Sequence, residues 1–160
     1  TPIENGYVEV TSTEEITEGE YILIGVYENT PYYLPNTDVK NSQPVSAALP
    51  SGVSLIGNVI TNPTADMTWT FTASGNGFTV TSTANPTIGM GGNNDSKGFR
   101  INADNLSCVW TFEKVTSTLN WNIYNTNATR YLSVYTATNW RLYSTAGQNN
   151  KGSFRLFKKQ

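Results

Sequence analysis

Trp69-Thr70-Phe71 returns as Trp110-Thr111-Phe112 and, loosened, as Phe154-Arg155-Leu156-Phe157. The copies lie roughly forty residues apart, the length of one supersecondary unit that cannot bury its apolar face alone and packs against copies of itself. Working back from the second and third copies, Gly77-Phe78-Thr79-Val80 answers Asn120-Trp121-Asn122-Ile123, and Thr87-Ile88-Gly89-Met90 answers Tyr131-Leu132-Ser133-Val134. Gly98-Phe99-Arg100-Ile101 likewise answers Asn139-Trp140-Arg141-Leu142. The first copy is more diverged, with Tyr21-Ile22-Leu23-Ile24 and Tyr32-Tyr33-Leu34 before a vague middle that ends near Met67.

Apolar residues alternate over short runs broken by Gly75-Asn76-Gly77, Gly91-Gly92-Asn93-Asn94 and 147–152. These interrupters tolerate the positive φ of tight turns. The pattern predicts an all-β chain of about twelve strands, four per copy, with almost no helix. Closing the strands on themselves leaves no open edge, which disposes of the aggregation hazard that many short strands carry. The expected core is Tyr21, Leu23, Trp69, Phe71, Phe78, Val80, Ile88, Trp110, Phe112, Trp121, Ile123, Leu132, Leu142, Phe154 and Leu156.

At 160 residues the chain fits one domain able to bury most of its apolar surface without a disulfide or metal. Cys108 is the single cysteine and reads as a small buried apolar side chain. Histidine is absent, which removes the commonest general base, the commonest metal ligand and the Ser-His and Cys-His nucleophile arrangements. No cofactor, metal or catalytic residue is expected, and the chain reads as a non-enzyme. Asp95 in its Gly- and Asn-rich setting matches no calcium-loop spacing.

The formal net charge of −2 offers nothing to nucleic acid or anionic lipid, and no stretch approaches the ~20 apolar residues of a membrane helix. Charge is uneven along the chain: Glu4, Glu9, Glu14, Glu15, Glu18, Glu20, Glu28 and Asp38 load the beginning, and Lys151, Arg155, Lys158 and Lys159 the end. Neighbouring first and last strands of a closed barrel would compensate one another across that seam. Thr, Asn, Ser and Gly crowd the sequence while charged residues make up 14%, a balance that points to an extracellular or cell-surface protein. Thr1 is expected to begin a processed protein or an excised domain.

Three copies of about four strands resemble the β-trefoil. The third copy is similar to the ricin-type lectin repeat in Tyr131-Leu132-Ser133-Val134-Tyr135, Asn139-Trp140-Arg141-Leu142-Tyr143, Gln148-Asn149 and the Phe154 to Phe157 close. It departs from that repeat in Ser133, which stands where those lectins carry a sugar-gripping Asp, in the reversed Asn-Gln order, and in lacking the repeat cysteines. The phrasing also resembles accessory binding domains of secreted and surface proteins of gut Bacteroidetes. On this reading residues 1–18 are a lead-in linker or an extra edge strand, and 19–160 a single trefoil with repeats at about 19–74, 75–117 and 118–160.

The resemblance implies a lectin-like module whose partner is a carbohydrate, with neighbouring domains of the same protein as a further partner. Sugars offer C–H faces to rings and hydroxyls to amides and charged groups. Ser133, Tyr135, Asn139, Trp140, Arg141, Tyr143, Gln148 and Asn149 form the candidate site in the third copy, and Tyr32, Tyr33, Asn36 and Asp38 a smaller one in the first. Trp140 also fills the slot of Phe99, which reads equally as core. Gly89, Gly91 and Gly92 leave the second copy without side chains to bind anything. The alternative reading is a protein-interaction scaffold, supported by the Pro-rich 31–63 insertion.

Overall fold

The computed structural model describes residues 6–145 and 154–160. In chain order the strands are β1 Tyr7–Glu9, β2 Gly19–Tyr27, β3 Thr30–Tyr33, β4 Ala47–Ala48, β5 Ser54–Ile56, β6 Val59–Thr61, β7 Trp69–Ser74 and β8 Gly77–Ser82. They continue as β9 Gly89–Gly92, β10 Phe99–Asn102, β11 Val109–Lys114, β12 Trp121–Asn125, β13 Arg130–Thr136, β14 Asn139–Tyr143 and β15 Phe154–Lys159. Helical structure among the described residues is confined to single 3-10 turns at Thr13–Glu15, Ala65–Met67 and Ala103–Asn105. The fifteen strands among the described residues exceed the dozen that the repeat pattern predicts: β1 lies in the lead-in, and β4, β5 and β6 stand where the first copy's middle leads one strand to be expected.

Six strands close on themselves. β2 pairs β7, β7 pairs β8, β8 pairs β11, β11 pairs β12, β12 pairs β15 and β15 returns to β2, every pair antiparallel. Tight connections join β7 to β8 and β11 to β12. Ser74 pairs with Gly77, and Gly75 at φ 58 supplies the positive φ that a two-residue hairpin turn requires at its first central position. Between the remaining ring strands the chain makes excursions: β3 to β6, the β9–β10 hairpin, and the β13–β14 hairpin.

The repeated aromatic positions explain why the ring closes. Trp69, Trp110 and Phe154 all point into one interior cluster with Tyr21, Leu23, Phe71, Trp121, Ile123 and Leu156. Phe78 and Phe112, expected in the core, are only partly buried and pack against its end. There Phe71 is sandwiched between Tyr21, with centroids 3.9 Å apart, and Phe112, at 5.0 Å. Each such buried side chain contributes roughly 1.5 to 3 kcal/mol.

β2 does not alternate. Tyr21, Ile22, Leu23 and Ile24 are all buried, because Tyr21 and Leu23 face the barrel while Ile22 and Ile24 belong to a second cluster with Tyr7, Tyr33, Ile60, Met67 and Phe157. Both faces of the strand are covered, so it reads as a continuous apolar run. The lead-in supplies part of the cover. β1 lies between β15 and β6, so residues 7–9 are an extra strand, held inside the sheet and not at its edge. Further on, Val10 joins the barrel interior and its carbonyl accepts the Trp121 indole N–H at 3.2 Å.

Charge compensation at the seam takes a definite form. Arg155 on β15 donates from Nε and Nη2 to the two oxygens of Glu9 on β1, both at 2.7 Å. Glu9 is 2% exposed. The hydrogen bonds to Glu9 raise the Arg155 pKa, and Lys159 pairs with Glu20 across β15 and β2 at 3.0 Å.

Candidate functional site

The β13–β14 hairpin carries the larger candidate set. In its register Ser133 stands opposite Arg141 and Val134 opposite Trp140, and a bulge between Val134 and Thr136 displaces Tyr135 from the ladder. Bulges re-aim side chains. Tyr135 is half-buried, and the Arg141 guanidinium carbon sits 3.8 Å from its ring centroid, a cation–π stack that fixes both groups. Arg141 Nε donates to Asn139 Oδ1 at 3.3 Å, and Asn139 Nδ2 donates to Gln43 Oε1 at 3.1 Å.

Gln43 comes from the Pro-rich insertion of the first copy, which runs as a strap between the other two hairpins. Its Lys40 exchanges backbone hydrogen bonds with Ile101 of β10 at 2.8 and 2.7 Å, and the Asn41 carbonyl accepts Arg100 Nε at 2.8 Å. Ser46 then donates from Oγ to the Ala137 carbonyl at 2.8 Å, with Val45 bridged to Asn139. Sequence reasoning missed Gln43 and Asn41. The only trace of them is the excess length of the first copy.

Several candidates are structural. Trp140 is wholly buried and meets Phe154 edge-on at 5.0 Å, so it offers no face to a sugar. Its packing mirrors the second copy, where Phe99 meets Trp110 edge-on at 6.1 Å: these two copies each use one Trp and one Phe, with the sizes exchanged. The exchange needs room. A Cβ on Gly25 of β2 would lie 2.7 Å from Trp140 Cζ2. The other three indoles donate to carbonyls of Leu34, Met90 and Val10, whereas Trp140 Nε1 has no partner among the described residues.

Ser133 and Tyr143 are buried, at 3% and 5% exposure, so neither is available to a ligand. In the first copy Asn36 is wholly buried and its Nδ2 donates to the Ala65 and Thr68 carbonyls at 3.0 and 2.6 Å, pinning a loop. Tyr33, also buried, donates to Asp66 at 2.7 Å; burial first, then Asp66, pushes its pKa up to about 12. Tyr32 is half-buried and Asp38 exposed. Gln148 and Asn149 lie outside the described residues. The structure therefore brings together Tyr135, Asn139 and Arg141, whereas in the first copy Tyr33 and Asn36 are taken up in structural hydrogen bonds.

The second copy is closed by close contact. A Cβ on Gly91 would lie 2.6 Å from Asn105 Oδ1 and from Cys108 Sγ, so the backbone itself packs where side chains would have to reach. Cys108 is buried, its thiol donates to Asn105 Oδ1 at 3.3 Å, and burial raises its pKa. Asp95 closes a local turn by accepting the Lys97 N–H at 2.8 Å. Among the described residues no helix is long and apolar enough to cross a membrane, and no three His, Cys, Asp or Glu gather as a metal site.

No protein-family model matches the chain, and no curated protein matches it.

Proposed function

We propose that the chain is a β-trefoil with ricin-like repeats, acting as a non-catalytic carbohydrate-binding module of a secreted or cell-surface protein. The observation that carries this reading is the Tyr135–Arg141–Asn139–Gln43 chain of contacts on the third lobe, a half-exposed ring beside a row of amide and guanidinium groups held in place by the strap. A sugar would lay a C–H face on Tyr135 in place of the buried Trp140, while Arg141 and Asn139 fix hydroxyls. The six-strand ring with three excursions is the support for the trefoil assignment, and the resemblance of the third repeat is the support for the ligand class. One shallow site binds weakly, so useful strength comes from avidity with neighbouring sites or domains.

Affinity electrophoresis against a panel of soluble neutral polysaccharides tests the reading. Retardation by at least one of them, lost in Tyr135→Ala and Arg141→Ala proteins that keep the wild-type circular dichroism, is the expected result. Absence of retardation on every polysaccharide transfers the assignment to the second reading, a protein-interaction scaffold. That reading draws on Val39 and Val45, which the strap holds 52% and 57% exposed.

A further inference from the structure

The geometry points to a second binding site, a cleft beside the closure seam that takes a neutral polyhydroxylated ligand, a sugar or sugar-like polyol; this rests on the carbohydrate-binding reading above. Tyr7 of β1 lies opposite Lys159 on one side and Ile60 on the other. Past β6 the chain turns away at Asn62, whose φ is 55, and runs through Pro63 and Thr64 into the 3-10 turn at Ala65–Met67. A cleft of about 460 Å³ opens between them, lined by Tyr7, Asn62, Pro63, Thr64, Thr68 and Lys159. That volume falls within the range of small-ligand sites.

The cleft is graded from floor to rim. Tyr7 and Thr68 are buried, whereas Asn62, Thr64 and Lys159 are exposed. Its polar groups are coupled: Glu20 accepts Lys159 Nζ at 3.0 Å and the Tyr7 hydroxyl at 3.4 Å. The ammonium is therefore already neutralised, which leaves an anion little to gain. It still has protons to donate beyond the one aimed at Glu20, and the Asn62 amide both donates and accepts. Hydroxyl groups, which do both, match such a mixed lining, and the Pro63 ring supplies an apolar surface for a C–H face. The cleft lies where the end of the first-copy insertion, at Asn62 and Pro63, meets the seam.

Amide-proton NMR of the whole chain, titrated with millimolar glucose, galactose, xylose and N-acetylglucosamine and separately with inorganic phosphate, tests the assignment. At least one sugar is expected to move the amides of 62–68 and 159 in a saturable way, with phosphate leaving them in place. Thr64→Trp, which fills the rim of the cleft, weakens that binding by at least about tenfold while the remaining spectrum stays folded. Response to phosphate alone, no response to any sugar, or sugar shifts confined to β13–β14 overturns the cleft. The last of these leaves the module reading standing, because Tyr135→Ala then removes the shifts and the polysaccharide retardation together. If neither site responds and no polysaccharide retards the protein, both readings fall.

Discussion

Gly25 and Trp140 show how one residue type is dictated by another far away in sequence. The indole fills the space in which any Cβ at position 25 would sit, within 2.9 Å of both its Cε2 and Val134 Cγ2. Gly25→Ala is expected to destabilise the fold by about 1 to 3 kcal/mol through overpacking. Adding Trp140→Phe should recover part of that loss in urea unfolding, since it also removes the partnerless Nε1. Equal losses in the single and double variants would refute the coupling. Tyr33 gives a second test. Its folded pKa lies above the ordinary value of 10, at about 12, so folding holds a proton that the unfolded chain releases first. The associated stability is intact below about pH 10 and is lost as pH climbs through about 12; Tyr33→Phe should flatten that alkaline decline in urea midpoints. Burial likewise raises Tyr7 and Tyr21, which adds to the slope that remains.

At the scale of elements, the strap is the part of the chain whose role the residues concealed. The aromatic repeats were legible because burial demands large apolar side chains at corresponding positions of each copy: Trp69, Trp110 and Phe154 all fall in the interior, as do Leu142 and Leu156. The candidate site was legible only in part. Alternation puts Asn139 and Arg141 outward, but Ser133 shares Arg141's register position and is buried all the same, because cover from another segment leaves no mark on a local pattern. The vague middle of the first copy had a physical cause: its apolar residues serve a second cluster outside the barrel, so they follow no repeat. Replacing 39–46 with a Gly-Ser linker should leave the ring folded, given the shallow dependence of loop cost on length. Exchange of the Ile101 amide, which now donates to Lys40 at 2.7 Å, should become markedly faster, as read by hydrogen-exchange NMR. Unchanged Ile101 exchange would mean that the strap is not held there.

For the whole molecule, the seam is where closure is decided. β15 touches β1, β2 and β12, and a carboxylate buried at that junction is tolerable only because a guanidinium meets it with two hydrogen bonds. Arg155→Ala leaves Glu9 uncompensated and is expected to cost about 3 to 5 kcal/mol. The Glu9→Leu, Arg155→Leu pair should restore most of it, measured by denaturant unfolding of both proteins. A single variant as stable as wild type would show that the pair adds nothing to closure.

The Gln160 N–H donates to the Gly6 carbonyl at 3.2 Å, and Tyr7 stands beside Lys159 in an antiparallel ladder. Tension applied through residues 6 and 160 would therefore pull at right angles to those strands and strip their bonds singly, like a zip, instead of shearing them all at once. In a force spectrometer β1 should peel from β15 at low load. That makes the seam a mechanical fuse under end-to-end load.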